Sequence, residues 1–306
     1  MPRLIGSAQP QFCAIDWDRA APPGAARACG KGLPALTEAG AFAGIITSPL
    51  GERTEKPRLA GQTMVIDKGL GLSETGDLLE LAHPWIDYVK LGFGTPALYS
   101  PHLLRAKISL IRSYGVHVYP GGTFLEIALY QGNLERYLER LREFGFDLVE
   151  VSDGTIALSE AERRAAIRTA RAYGFGVITE VGKKDGAAVL DPRYALEQVQ
   201  ADLEEGAVKV IVEGRESGRG AGIYDPEGRP RTAALEALID GLADPSVLMW
   251  ETPLKAQQEE MILRFGPNVN LGNIAAPEIL AVEALRQGLR GDTFRAAVAS
   301  SAAMRT

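Results

Sequence analysis

The chain has 306 residues, 46% of them hydrophobic and 24% charged, and carries a formal charge of −6. That size buries a large core, as one big domain or two small ones, while the acidic balance excludes a duplex nucleic acid as partner, whose phosphates need a basic excess. Cys13 and Cys29 are the only cysteines, and His83, His102 and His117 are scattered, so no zinc-type cluster can be drawn and a reducing cytoplasm fits.

Residues 1–60 are rich in proline, glycine and alanine, and PPGAAR and GERTEKPR break any periodicity. They read as an irregular N-terminal arm with one short helix near 36–42. Gln9, Gln11, Asp16 and Asp18 interrupt the opening stretch, so neither secretion nor membrane insertion is expected. From residue 61 a regular alternation begins. Strand-type runs appear at TMVID (from Thr63), IDYVKLG (from Ile86), VHVYP (from Val116) and DLVEVS (from Asp147). They continue at FGVITEV (from Phe175), AVKVIVE (from Ala207), SVLMWE (from Ser246) and NVNLGN (from Asn268). Between them lie segments with helical grammar. Ser159 and Glu162 form a capping-box pattern ahead of a helix that Gly174 ends, and LERYLERLREF, from Leu134, is followed by Gly145. Eight strand-then-helix units of about thirty residues predict an α/β fold, a closed (β/α)8 TIM barrel over residues 61–306. An open doubly wound sheet is the alternative, but no G-x-G-x-x-G follows the first strand.

A barrel of this kind carries its active site at the carboxyl ends of the strands. Those ends are unusually ionic: Asp67 and Lys68, Lys90, Glu150, Glu180 with Lys184, Glu213 with Arg215 and Glu216, Glu251, and Asn270 with Asn273. A barrel end packed for stability alone does not need such a set. Converging charges of both signs suggest a site for an anion and a divalent cation.

DKGLG, DYVKLGFGT, VYPGGTFLE, VEVSDGTI, TEVGKK, VIVEGRESG and FGPNVNLGNIA, in that order, resemble the phosphosulfolactate synthase family from about Arg53 to Phe294. The resemblance implies a magnesium-dependent (β/α)8 barrel that adds sulfite to phosphoenolpyruvate, an early step towards coenzyme M. The family also includes plant stress-associated proteins. A related barrel enzyme acting on another phosphorylated acid, and a non-catalytic stress-associated homologue, are therefore the alternative readings.

Such an addition needs a cation to stabilise developing charge and an acid to deliver a proton. Magnesium takes oxygen ligands, and Glu150, Glu180 and Glu213, on three consecutive strands, form the expected metal set, with Asp67 and Glu251 in reserve. Lys184 is the expected general acid, because a lysine among other cations or partly desolvated gives up its proton more readily. In an extended chain it also shares parity with Glu180, whereas Lys183 points away. The family's motif ends in the same lysine pair, and its second member resembles the proposed acid.

For the anionic groups, Arg215 offers a bidentate fork, and Ser217 and Gly218 lie in a glycine-rich loop whose amides suit an anion. The family has a basic residue where this chain has Ala221, which lowers the charge of that loop. Asn273 lies near a helix start suited to phosphate. Lys68 and Lys90 add charge, with Asp67 and Glu216 as their structural alternatives. Tyr119, in YPGG after the third strand, reads as a packed rim residue, with substrate contact as the alternative. Barrel enzymes often assemble, which favours a homo-oligomer.

Overall fold

Short runs of β-branched and aromatic residues bounded by glycine, proline or aspartate fold as strands, and the charged amphipathic segments between them as helices. In the computed structural model these are β1 (Thr63–Asp67), α1 (Leu72–Ala82), β2 (Tyr88–Leu91), α2 (Pro101–Ser113), β3 (His117–Pro120), α3 (Gly122–Tyr130), α4 (Leu134–Phe144), β4 (Leu148–Val151) and α5 (Glu160–Ala172). The second half adds β5 (Gly176–Val181), α6 (Pro192–Glu204), β6 (Lys209–Val212), α7 (Thr232–Asp240), β7 (Leu248–Glu251), α8 (Lys255–Phe265), β8 (Leu271–Ala275), α9 (Ile279–Arg286) and α10 (Gly291–Ala303). The structure describes residues 41–42, 45–182, 190–220 and 222–303. The chain divides into two units, residues 1–47 and 48–306. Nearly all of the first lies outside the described residues, as does the short helix expected at 36–42 apart from its last two positions. No helix among the described residues is long and apolar enough to cross a membrane.

The strands form one parallel sheet in the order β3, β2, β1, β8, β7, β6, β5, β4. The outermost two, β3 and β4, lie side by side, which brings the sheet round into the expected (β/α)8 barrel. Side chains bridge that seam. Asp147 accepts from the Val118 amide at 3.1 Å, and Glu150 Oε1 accepts from the Gly122 amide at 2.7 Å.

Alternation along each strand then sorts the residues. Val65, Val89, Val118, Val149 and Val177 face outward into one apolar layer under the helices, and Val210, Leu248 and Leu271 into a second. Met64, Tyr88, Tyr119, Leu148, Ile178, Ile211 and Met249 fill the barrel interior. Two residues further along, the same inward parity presents Lys90, Glu150, Glu180, Glu213 and Glu251.

Local signals behave as their chemistry requires. Ser159 and Glu162 close a capping box on α5, with bonds of 2.8 and 3.3 Å, and Gly145 ends α4 at φ +91°. Strand β8 begins later than its apolar pattern indicates, because the amides before it have other work. Asn270 accepts from the Gln62 amide at 2.9 Å and donates to the carbonyls of Ser246 and Leu248 at 2.7 and 2.8 Å. Residues 48–62 belong with the barrel unit: Arg53 pairs with Glu283 at 3.1 Å and Arg58 with Asp87 at 2.9 Å, all four side chains nearly buried.

Candidate active site

Lys90 stands at the centre of the inward ionic set. Its ammonium lies 2.9 Å from Glu150 Oε2, 3.5 Å from Glu251 Oε1 and 3.7 Å from Glu180 Oε2, and its side chain is 8% exposed. Burial works against the charged ammonium, yet Glu150, Glu251 and Glu180 outweigh it and hold its pKa well above the ordinary value. The lysine is a fixed cation in this state of the site.

Glu180, Glu213 and Glu251 each bring one carboxylate oxygen within 4.8 Å of the others, and all three are buried. An all-oxygen set of this kind suits a hard divalent cation such as magnesium. The sequence reading placed Glu150 with Glu180 and Glu213 and held Glu251 in reserve. In the fold it is Glu251 that joins those two, while Glu150 lies against Lys90 and the Gly122 amide at the β3 and β4 seam.

Each carboxylate is held by its neighbours. The Gly214 amide donates to Glu251 Oε2 at 3.1 Å, the Arg215 amide donates to Glu213 Oε1, and Tyr224 donates to the Glu251 carbonyl at 2.7 Å. Arg163, buried on α5, binds Asp202 at 2.5 and 2.9 Å, Asp153 at 3.0 Å and the Glu180 carbonyl at 2.9 Å. Glu126 on α3 accepts from Ser152 at 2.6 Å and from the amides of Thr155 and Ile156 at 2.8 Å, folding the loop after β4. Glycine is required where the backbone closes on these groups: a Cβ on Gly182 would lie 2.7 Å from Glu213 Cβ.

Among the described residues, three other than glycine take a left-handed backbone, namely Phe93 (φ +58°), Arg215 (+59°) and Asn273 (+54°). They follow β2 and β6 or lie within β8, all towards the carboxyl side of the barrel. Left-handed backbone costs about 1–2 kcal/mol at such residues, and strain of this kind gathers at functional sites. Asn273 sits in a bulge, since Met64 faces two residues between the pairs Thr63 with Leu271 and Val65 with Ile274. Its buried Oδ1 has no hydrogen-bond partner among the described residues.

The remaining expected anion groups are more dispersed. Lys68 pairs with Glu216 across the mouth, both side chains about half exposed, and Arg215 is exposed beside them. Ser217 turns back on Arg219 at 3.4 Å. The Gly218 amide donates to the Arg215 carbonyl at 3.3 Å, while its own carbonyl accepts from Gln257 at 2.7 Å. Asp67, the other reserve ligand, has outward parity: it pairs with Lys107 and accepts from the amides of Gly69 and Leu70 at 2.8 Å. Lys183, Lys184 and Ala221 lie outside the described residues.

Tyr119 is not at the rim. It is fully buried inside the barrel, and its register partner on β2 is Lys90. The sequence reading also passed over Arg163, Asp202 and Glu126, whose charges on helices look like solvated faces.

The family model described as (2R)-phospho-3-sulfolactate synthase matches residues 51–292. A phosphosulfolactate synthase of Methanothermobacter thermautotrophicus is 43% identical over 244 residues, covering 79% of this chain and 94% of that one. One from Methanocaldococcus jannaschii is 43% identical over 238 residues, covering 76% and 94%. One from Bacillus subtilis is 38% identical over 244 residues, covering 79% and 95%.

Proposed function

The chain belongs to the (2R)-phospho-3-sulfolactate synthase family, and we propose that it joins sulfite to phosphoenolpyruvate as a carbon–sulfur lyase run in the synthetic direction. Sulfite sulfur gives its lone pair to the methylene carbon, forming the carbon–sulfur bond. The electrons of the double bond move towards the carboxylate. A proton then returns to the carbon that carries the phosphate oxygen, giving (2R)-phospho-3-sulfolactate. No oxidant or reductant is needed.

The observation that carries this reading is the buried set in which Lys90 faces Glu150, Glu180 and Glu251 beside the Glu180, Glu213 and Glu251 group. Those last three residues would hold magnesium, which supplies positive charge against the substrate carboxylate as electron density reaches it. Lys90 orients Glu150 and its neighbours through contacts of 2.9 to 3.7 Å. Because those carboxylates bind its proton so firmly, Lys90 serves as a cation, and the proton donor is assigned to Lys184, which follows Glu180 in TEVGKK.

Lys68 and Arg215 are assigned to the phosphate and sulfite charges, and Ser217, Gly218 and Asn273 to further contacts with the bound anions. The exposed Lys68 and Glu216 pair is worth only about 0–1 kcal/mol, so an incoming anion exchanges for Glu216 at little cost. The proposal places the reaction in the cytoplasm and favours a homo-oligomer.

The test is to incubate the pure protein with phosphoenolpyruvate, sulfite and magnesium and to follow a new phosphorylated sulfonate by mass. Product that requires all three components supports the reading. A folded protein that forms none refutes it.

A further inference from the structure

Tyr119 carries a hydroxyl that no described residue engages. Its ring is wholly buried and meets Tyr88 edge-on, with centroids 6.5 Å apart and planes at 77°. The hydroxyl has no hydrogen-bond partner among the described residues. The register partner of Tyr119 on β2 is Lys90, whose ammonium lies 2.9 Å from Glu150 Oε2, so pairing sets Tyr119 level with the ionic set at the upper edge of the interior layer.

A buried hydroxyl without a partner costs stability, and phenylalanine would fill the same space without that cost. Tyr224 makes the contrast: equally buried, it donates to the Glu251 carbonyl at 2.7 Å. A phenol keeps its proton at neutral pH, so the hydroxyl remains a donor. A protonated donor held among carboxylates, yet bonded to none, is complete only when an acceptor arrives.

We infer that Tyr119 contacts the ligand of this site: its hydroxyl donates to an oxygen bound within the glutamate set, whether a water on the divalent ion or a carboxylate oxygen of the substrate. The inference rests on the proposed function for what that ligand is, and on the fold for the hydroxyl that awaits it.

The experiment compares wild type with Tyr119→Phe, using Tyr224→Phe as a reference for loss of a hydrogen bond already made. Thermal unfolding and calorimetric binding are measured without ligand, with magnesium alone, with phosphoenolpyruvate alone and with both. Without ligand, Tyr119→Phe is expected to unfold at the wild-type temperature or above it, whereas Tyr224→Phe unfolds earlier. With ligand, the Tyr119→Phe stabilisation shrinks and affinity falls about tenfold, the worth of one hydrogen bond to a charged group. A fall in the magnesium arm assigns the acceptor to water on the ion, and a fall confined to the phosphoenolpyruvate arms assigns it to the substrate. Early unfolding of Tyr119→Phe with unchanged affinity overturns the inference, and so does a wild type that binds neither ligand. A wild type that binds both but forms no product with sulfite overturns the synthase reading, while the Tyr119 comparison still decides the inference.

Discussion

Replacing Lys90 with methionine keeps the length of the side chain and removes its charge. With an effective dielectric of about 20, an ammonium attracts a carboxylate by about 6 kcal/mol at the 2.9 Å of Glu150, and by about 4–5 kcal/mol at the 3.5 and 3.7 Å of Glu251 and Glu180. Desolvation of the four groups offsets most of that attraction. The cost expected for removing one partner of a buried pair is therefore about 3–5 kcal/mol, which for a domain of this size lowers the melting temperature by roughly 10 °C. Magnesium should restore much of the loss, because the ion brings positive charge to the same carboxylates, and it should stabilise Lys90→Met more than wild type. Thermal unfolding by circular dichroism, in chelator and then in magnesium, reads both effects. A variant that melts within about 2 °C of wild type in chelator, or that magnesium stabilises less than wild type, would refute the electrostatic reasoning.

Arg163→Ala removes the guanidinium that joins Asp153, Asp202 and the Glu180 carbonyl, and should cost about 3–5 kcal/mol in chemical denaturation. Arg163→Lys should recover little, because an ammonium cannot reproduce the fork; full recovery would contradict this. Gly122→Ala sets a Cβ 2.7 Å from Glu150 Oε1 and also against Ser152, and is expected to lose about 1–3 kcal/mol and most turnover. Gly272→Ala meets the flexible end of Met64 at 2.9 Å and should be tolerated better, an order that equal denaturation midpoints would contradict. Burial lowers Lys56 and Lys209 to about 8, so above pH 8 the unfolded chain holds protons that the fold has lost, and stability rises with pH. Above about pH 10 the sign reverses: burial raises the pKa of Tyr88, Tyr119, Tyr137 and Tyr224, and the unfolded chain releases those protons first. Denaturation midpoints should therefore peak between pH 8 and about 10, and a steady fall from pH 8 upward would contradict the assignment.

The barrel was legible because its signals are local. Each strand run sits between breakers, and the capping box at Ser159 and the stop at Gly145 are written in adjacent residues. Lys90, Glu150, Glu180, Glu213 and Glu251 were marked by their place at the carboxyl ends of their strands, and the alternation within each strand turns all five inward. What parity does not supply is the stagger of neighbouring strands, which sets which inward groups reach one another. That is why Glu251 joins Glu180 and Glu213, while Glu150 meets Lys90 at the seam. Asp67 had the wrong parity for the interior, being the residue after inward Ile66's position in the alternation that points Val65 out. Tyr119 was misread because the sequence does not say how deep β3 runs before Pro120. The left-handed bulge at Asn273 depends on pairing with β1, a contact some two hundred residues away along the chain. Arg163 and Asp202 belong to amphipathic helices, where buried and solvated charges look alike until the helices pack. Lys184 keeps its assignment from its motif, since it lies outside the described residues.

The most direct test of the site is Mn2+ binding followed by electron paramagnetic resonance in wild type, Glu251→Gln and Glu150→Gln. The account predicts a tight site in wild type that Glu251→Gln abolishes and Glu150→Gln retains. Retention in Glu251→Gln with loss in Glu150→Gln, or no tight site in wild type, would contradict it.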